Sequence, residues 1–262
     1  MKNKIRLFMK YNFFSLRVLL SGFILYLQNL LSVNKIRFKE KDIKFYASSE
    51  MSTVRAVLFG KKEKEVYEFI DKYLNNGEIS FDIGANVGVF SIYASIFKNA
   101  KSYAFEPEYS NLYLLNKNIH LNNLYNIITI CPYAVSDDIG YGNLYLSSLE
   151  SGAALHSLSK KIIKVTDENS PVVANVGIYS ITIDDYVRKN NIVPKMIKID
   201  TDGKELEILI GATETLKKVT CLALELPIDQ NKKDKCIAIL SEANFIEDKD
   251  LAHGRNVFFI KK

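Results

Sequence analysis

The sequence predicts an α/β protein whose mostly parallel β-sheet is covered by helices. Two observations predict this fold. Short apolar runs alternate with segments of helical apolar spacing, and a glycine-rich turn joins one such run to a helix. A chain of 262 residues is long enough to bury a core of this kind. Its apolar content of 48% and charged content of 25% are ordinary for globular proteins, which excludes a wholly disordered or collagen-like chain.

The alternation begins near the amino end. Residues 43–47 alternate apolar and polar side chains, which indicates a short strand. Residues 63–74 place apolar side chains at helical spacing, and Asn75-Asn76-Gly77 ends that helix. The next predicted elements are strand 79–83, helix 87–97, strand 102–105, helix 110–121 with Ser110 as its N-cap, and strand 127–131.

The pattern breaks between Asp137 and Asn175, where glycine and serine are frequent and hairpin-like pieces occur, among them the KIIKV run at 161–165. We expect residues 140–180 to shape specificity, because irregular segments beside a rigid sheet commonly carry binding residues. Alternation then resumes with strand-like residues 181–183, helix 184–189, strand 196–199, helix 204–216, strand 220–226, helix 232–243 and closing strand 256–260.

The amino-terminal segment differs from the rest in charge. Residues 1–39 carry eight Lys or Arg residues and no acid, so subtracting their +8 from the net +5 leaves −3 for residues 40–262. Residues 13–33 are mainly apolar, and Arg17, Ser21, Gln28 and Ser32 fall within about 60° on a helical wheel. We predict an N-terminal helical segment at 1–39 followed by one catalytic domain at 40–262. The helix could pack on the domain or on a partner, lie on an anionic membrane surface as a peripheral contact, or span the membrane.

A strand–turn–helix motif, Ser80-Phe81-Asp82-Ile83-Gly84-Ala85-Asn86-Val87-Gly88, carries the functional information. Gly84 and Gly88 allow a tight turn that a ligand can approach closely, and Asp82 at the strand end favours a cationic group over a pyrophosphate. Glu106 follows the next strand, where a carboxylate can accept hydrogen bonds from both hydroxyls of a ribose. An ammonium group, a ribose and no phosphate describe S-adenosylmethionine. Asn86 stands where a dinucleotide site would need its middle glycine, which disfavours NAD(P).

The phrases DIGANVG, the following FEP, and KIDTDGKELEILIGA at 198–212 resemble the FkbM family of S-adenosylmethionine-dependent methyltransferases. The likeness runs from about residue 63 to the carboxyl end. It implies a class I methyltransferase fold, a Rossmann-like, seven-stranded sheet flanked by helices, and methyl transfer to an oxygen of a saccharide or other natural product. The residues that match the family's cofactor positions are Asp82, Gly84, Asn86, Gly88 and Glu106.

Methyl transfer to an alcohol needs a group that takes the hydroxyl proton. Asp200, at the end of strand 196–199, is our first candidate for this base, and its alternative role is to cap the helix that starts near Lys204. Glu205 is a weaker candidate, since an acid in a first helical turn is favoured by the helix dipole alone. His253 and His156 are the further candidates, while Lys198 shares a sheet face with Asp200 and is expected to pair with it.

The cysteine content and the charge distribution exclude several further classes of protein and partner. Three cysteines without CxxC or Cys/His spacing predict neither a disulfide framework nor a metal site, and indicate the cytoplasm. The acidic body at 40–262 disfavours nucleic acid as a partner and leaves a small-molecule or saccharide acceptor. Two alternatives to O-methyl transfer stay open: a methyltransferase with a nitrogen or carbon acceptor, and a degenerate methyltransferase fold that serves as a membrane-associated scaffold.

Overall fold

The computed structural model describes residues 2–154, 157–159 and 172–262. In chain order the elements are α1 (Lys2–Leu31), β1 (Val33–Phe38), β2 (Lys41–Tyr46), α2 (Glu50–Val57), α3 (Lys64–Tyr73), β3 (Ile79–Ile83), α4 (Val89–Lys98), β4 (Lys101–Phe105), α5 (Tyr109–Leu121), β5 (Ile128–Cys131), β6 (Ala134–Val135), β7 (Gly140–Leu146), β8 (Ser157–Ser159), β9 (Ala174–Ile181), α6 (Ile183–Asn190), β10 (Met196–Ile199), α7 (Glu205–Ile210), α8 (Thr213–Leu216), β11 (Cys221–Glu225), α9 (Gln230–Glu242), β12 (Phe245–Glu247) and β13 (Asn256–Lys261).

The central sheet has seven strands in the order β12-β13-β11-β10-β3-β4-β5. Its five strands from β11 to β5 are parallel, and β13 is antiparallel to both of its neighbours. The chain order reverses between β3 and β10, and ligands of open α/β sheets bind at such a reversal, beyond the carboxyl ends of the strands. Register places Lys198 of β10 directly beside Asp82 of β3. The predicted parallel α/β sheet is therefore confirmed.

Buried side chains cover both faces of this sheet, because successive residues of a strand point to opposite sides. One apolar cluster contains Phe81, Phe105 and Ile197. The other contains Ala104 and Met196, together with side chains of the helices on that face. Burial on both faces explains why the central strands appear in the sequence as short continuous apolar runs.

The irregular stretch predicted at 137–175 contains part of a second sheet, ordered β6-β9-β7-β8. Strands β7 and β9 pair antiparallel over seven residues each, from Gly140 opposite Ser180 to Leu146 opposite Ala174. The KIIKV run at 161–165 lies outside the described residues. This sheet was not predicted, because its strands are joined through a glycine- and serine-rich segment that favours turns.

Two helices differ from the sequence prediction for local reasons. The helix predicted at 204–216 is broken at Gly211, where a side chain would come within 2.2 Å of the Ser136 carbonyl oxygen. Its second piece, α8, is capped by Asp184, whose carboxylate accepts hydrogen bonds from the backbone N–H groups of Glu214 and Thr215 at 2.9 and 2.7 Å. Helix α5 is capped by Glu108 and not by Ser110, since the Glu108 carboxylate accepts from the N–H of Ser110 at 2.9 Å.

The amino-terminal helix is shorter than the segment predicted at 1–39. Helix α1 ends at Leu31, and residues 33–38 form β1, which pairs with β2 from Val33 opposite Tyr46 to Phe38 opposite Lys41. The antiparallel hairpin therefore extends across residue 39. Among the helices in the described part of the chain, none is both long and apolar enough to cross a membrane.

Candidate active site

A cavity opens at the carboxyl ends of the central strands. Its wall includes residues at or just after the ends of four strands. These include Gly84 and Asn86 after β3, Glu106 after β4, Asp200 after β10, and Glu225 at the end of β11. Of the residues predicted from sequence, four line this cavity: Gly84, Asn86, Glu106 and Asp200. Asp82, Gly88, Glu205 and His253 are not part of its lining.

Glu106 is almost fully buried, with its side chain at the cavity wall. One carboxylate oxygen accepts a hydrogen bond from the Asn86 N–H at 2.8 Å, and the other accepts from the Glu108 N–H at 2.9 Å and from the Asn111 amide at 3.5 Å. Burial raises the pKa of the Glu106 carboxyl to about 7, although these hydrogen bonds act in the opposite direction. The carboxyl is thus held in place, and the oxygen that accepts from Asn86 keeps a second acceptor position.

Asn86 belongs to the turn between β3 and α4, where its backbone adopts a left-handed conformation at φ 51°. Its side-chain nitrogen donates to the Ala153 carbonyl at 2.8 Å. The side-chain oxygen of Asn86 is buried and has no hydrogen-bond partner among the residues that the structure describes. A buried acceptor without a partner costs free energy unless a ligand donates to it, so this atom indicates a ligand with a hydrogen-bond donor.

The two glycines of the turn are required by packing inside the protein. Gly84 has φ 80°, and an added Cβ would lie 1.9 Å from the backbone oxygen of Asp200. At Gly88, which has φ 87°, an added Cβ would lie 2.4 Å from a methyl group of Leu115 on α5. Gly84 therefore lets the turn rest on the end of β10, and Gly88 lets α4 pack against α5.

Asp82 lies beneath the turn, facing the sheet interior. One of its carboxylate oxygens accepts hydrogen bonds from the Ser91 N–H at 3.0 Å and from the Ser91 hydroxyl at 2.7 Å. The other lies 3.4 Å from the Lys198 amine. The carboxylate thus holds the first turns of α4 and neutralises a buried cation, which is not the direct contact with a cofactor ammonium group that we expected.

Asp200 and Glu225 face one another at the opposite side of the cavity from Glu106. Ile199 and Leu224 are register partners, so the acids that follow them, Asp200 and Glu225, lie side by side at the ends of neighbouring strands, where their carboxyl groups influence each other's charge. Each group also has a cationic partner: Lys198 lies 3.2 Å from Asp200, and Arg255 lies 2.5 Å from Glu225. The expected pairing of Lys198 with Asp200 is confirmed.

The two carboxyl groups differ in proton affinity. Burial raises the pKa of Glu225 to about 7, assisted by the charge of Asp200. Burial also opposes ionisation of Asp200, but the Lys198 amine outweighs it and holds the pKa of Asp200 below its usual range. The pair therefore has one acid that is ionised at neutral pH and one that titrates there.

The other catalytic candidates lie elsewhere. Glu205 is buried, and its carboxylate accepts hydrogen bonds from the N–H groups of Thr201 and Gly203 at 3.3 and 2.9 Å, so it shapes the loop before α7. Lys204, the N-cap residue of α7, makes no side-chain capping bond. His253 is exposed in the turn before β13, where its backbone bridges to Asn256. His156 lies outside the described residues.

Arg55 and Asn111 were not predicted as site residues, although they hold the segment that covers the cavity. Arg55 comes from α2, which was not predicted, and its guanidinium donates to the Gly152 carbonyl at 2.7 Å. Asn111 accepts from the Gly152 N–H at 2.7 Å and donates to the Ala153 carbonyl at 3.3 Å. These bonds hold residues 152–153 over the site. Asn111 could have been found from its place in the first turn of a helix that directly follows Glu106, whereas Arg55 has no comparable signal.

The fold and site together define a class I S-adenosylmethionine-dependent methyltransferase. The strand order, with its reversal between β3 and β10 and its antiparallel β13, is that of this class. The chain belongs to the FkbM methyltransferase family, since the family's Methyltransferase FkbM domain matches residues 82–248. Its methyl donor is S-adenosylmethionine.

The chain is also similar to individual proteins of known activity. It is 25% identical over 201 residues to hexuronic acid methyltransferase AglP of Haloferax volcanii, covering 74% of this chain and 77% of the relative. Among solved structures, it is similar to precorrin-6y C5,15-methyltransferase of Geobacter metallireducens, with a TM-score of 0.45 and 15% identity over 77% of this chain and 92% of that one. Another is magnesium protoporphyrin IX methyltransferase of Synechocystis PCC 6803 with bound S-adenosylmethionine, with a TM-score of 0.46 and 12% identity over 81% of this chain and 84% of that one.

The residues of the cavity fit S-adenosylmethionine. Glu106 offers acceptors for a ribose, and the unpartnered side-chain oxygen of Asn86 offers an acceptor for a further donor. S-adenosylmethionine carries no phosphate group. The acids Glu106, Asp200 and Glu225 in the cavity wall are therefore compatible with this ligand.

Proposed function

We propose that this protein transfers the methyl group of S-adenosylmethionine to a hydroxyl oxygen of a saccharide or a related natural product. The observation that carries the proposal is the adjacent carboxyl pair, Asp200 and Glu225, which lines the same cavity as Glu106. A hydroxyl acceptor needs a proton acceptor beside the cofactor, whereas a more nucleophilic nitrogen has less need of one.

The proposed cofactor site consists of Glu106 and Asn86. Glu106 would accept hydrogen bonds from the ribose hydroxyls, and the Asn86 side-chain oxygen would accept from a nitrogen donor of the cofactor. When bound, S-adenosylmethionine supplies an electrophilic methyl group on a sulfonium. Gly84 and Gly88 would act indirectly, by allowing the turn that carries Asn86 to pack on β10 and α5.

Asp82 would act indirectly as well. Its carboxylate neutralises Lys198, and Lys198 in turn contacts Asp200, so the three groups form a chain from beneath the turn to the cavity wall. Although burial disfavours the charge of Lys198, the carboxylates of Asp200 and Asp82 raise the pKa of this amine, so it stays a cation that orients Asp200.

In the proposed reaction the acceptor hydroxyl loses its proton to the carboxyl pair while its oxygen forms the new bond to carbon and the carbon–sulfur bond breaks. Asp200 would be the group nearest the acceptor, and the pair would hold the proton because Glu225 has a pKa of about 7. A proton acceptor with a pKa near the working pH is the most effective kind. Arg255, 2.5 Å from Glu225, would keep the pair in place during turnover.

The saccharide class is supported by the composition of the cavity and by one relative. Polar side chains of both charges line it, including Arg55, Lys62 and Lys204, and such a wall suits a ligand with many hydroxyl groups. The relative from Haloferax volcanii is named as a methyltransferase of a hexuronic acid, which is a sugar. Strand β7 and residues 153–154 would select the acceptor, since Leu144, Ala153 and Ala154 line the cavity.

Product analysis tests this proposal. The full-length protein is incubated with S-adenosylmethionine and a panel of neutral and uronic acid-containing oligosaccharides, and products are examined by mass spectrometry and NMR. The proposal expects an O-methyl sugar whose formation depends on the enzyme. A methylated nitrogen or carbon as the only product would contradict it, and so would an absence of S-adenosylmethionine binding at millimolar concentration, which would favour a degenerate scaffold.

A further inference from the structure

The described side chains of helix α1, from residue 16 onward, are largely apolar and exposed. Eleven large apolar side chains between Leu16 and Leu31 are 41 to 85% exposed. The helix meets the catalytic domain near its carboxyl end, where the Tyr46 hydroxyl donates to Asn29 at 2.8 Å and the Ala47 N–H donates to the Ser32 carbonyl at 2.8 Å. An exposed apolar surface of this extent marks a binding surface.

Three polar side chains in the second half of this helix and directly after it donate to backbone carbonyls of the helix. The hydroxyl of Ser21 donates to the Arg17 carbonyl at 2.8 Å, and the amide of Asn29 donates to the Leu25 carbonyl at 2.9 Å. The hydroxyl of Ser32 donates to the Gln28 carbonyl at 2.8 Å. These donors therefore need no water, which lowers the cost of placing the helix against an apolar medium.

The positive charge of helix α1 indicates what kind of surface its apolar side chains would bind. By sequence, helix α1 carries five Lys or Arg residues and no acid, and the basic residues are concentrated toward its amino end. Lys35, Arg37 and Lys39 follow it in β1 and the turn after it, but they pair with Asp42 and Asp71 of the domain, so the basic residues of the helix itself supply the positive charge. A segment with one sign of charge beside a long apolar surface matches an anionic lipid headgroup layer above hydrocarbon.

We propose that helix α1 docks the protein on the surface of an anionic membrane. The apolar side chains between Leu16 and Leu31 would enter the acyl boundary, and the basic residues of the segment would contact anionic headgroups. A second copy of the chain fits this surface less well, because two such helices side by side would bring together positive charges with no acid to offset them. This inference does not depend on the identity of the methyl acceptor.

Vesicle flotation with the full-length protein tests the docking. We expect the protein to float with vesicles of equal parts phosphatidylcholine and phosphatidylglycerol, and to bind pure phosphatidylcholine vesicles much less. Binding should weaken in about 0.5 M salt, where the Debye length is only a few Å. The double variant Leu19→Ser, Phe23→Ser should lose at least tenfold in vesicle partitioning, since both side chains are more than half exposed on the helix.

A matched control distinguishes binding through this helix from nonspecific binding through any exposed apolar side chain. Ile228→Ser removes a side chain that is 86% exposed, lies between β11 and α9, and does not line the cavity, so that variant should float like the wild type. The melting temperature of all variants should be unchanged. Equal binding to neutral and anionic vesicles would overturn the proposal, and so would flotation of the double variant at wild-type level. A dimer that the double variant dissociates, without vesicle binding by the wild type, would assign the surface to a second copy.

Discussion

The carboxyl groups of Asp200 and Glu225 lie side by side at the ends of two neighbouring parallel strands, β10 and β11. Each carboxyl group also has a cationic partner outside the pair: Lys198 contacts Asp200, and Arg255 contacts Glu225. Two interacting carboxyl groups titrate as a pair. The proposed chemistry depends on this relationship, and four predictions test the pair and the turn and cavity around it.

Replacing Asp200 with asparagine should separate chemistry from structure. Asparagine is nearly isosteric and can still hydrogen-bond to Glu225, so we expect the melting temperature and the affinity for S-adenosylmethionine to stay close to wild type. Turnover should fall by about 10²–10⁴-fold, the usual contribution of a general acid or base. Full turnover by the Asp200→Asn variant on a genuine acceptor would place the base elsewhere, and unfolding or loss of the cofactor would make Asp200 structural.

Glu225 should control the pH dependence of turnover. Burial and the neighbouring Asp200 raise its pKa to about 7, so the pair accepts a further proton readily only above that pH, and turnover should rise with pH through about 7. In Glu225→Gln the remaining carboxyl, Asp200, has a pKa below its usual range. The rising limb should therefore move to lower pH, while the plateau falls by about tenfold or more because a weaker base remains. An unchanged pH–rate profile in Glu225→Gln would exclude the pair as the titrating group.

Gly84 should be essential for stability. In Gly84→Ala the new methyl group would lie 1.9 Å from the Asp200 carbonyl oxygen, in a backbone conformation with φ 80°. We expect destabilisation of about 2–5 kcal/mol, from overpacking of about 1–3 kcal/mol and a left-handed backbone of about 1–2 kcal/mol. Gly77→Ala is the matched control, because Gly77 has φ 81° but no neighbouring atom within 4 Å. It should lose only the backbone part in urea unfolding, and equal losses in the two variants would mean that the contact with β10 does not matter.

Two of the central strands could be predicted to the residue and others to within one residue at either end, whereas the segment that covers the site could not be predicted. Strands β3 and β10 were predicted with their observed bounds, because buried parallel strands are short apolar runs ended by turn residues. Helix α2 was missed, since it depends on a capping box between Ser49 and Ser52 and on contacts with residues 150–152, which lie far along the chain.

The candidate site, like the fold, could be predicted only in part from the sequence. The positions of Glu106 and Asp200 followed from the rule that parallel strands end at one edge of the sheet. The direction of the Asp82 carboxylate could not be predicted, because it is set by Ser91 in the next helix and by Lys198 on a strand that comes much later in the sequence. The three-residue strand β12 was missed because so short a run carries no measurable periodicity.

Titration calorimetry of S-adenosylmethionine with wild type and Glu106→Ala tests most directly whether this cavity binds the cofactor. Loss of two charge-assisted hydrogen bonds, each worth about 1.5–3 kcal/mol, should weaken binding by at least tenfold. Because burial raises the pKa of Glu106 to about 7, wild-type affinity should also fall as the pH drops below 7, and this dependence should vanish in Glu106→Ala. Glu225→Gln, a change in the same cavity, should bind the cofactor as wild type does. Wild-type affinity in Glu106→Ala would contradict the assignment of the ribose site and with it the proposed orientation of the cofactor.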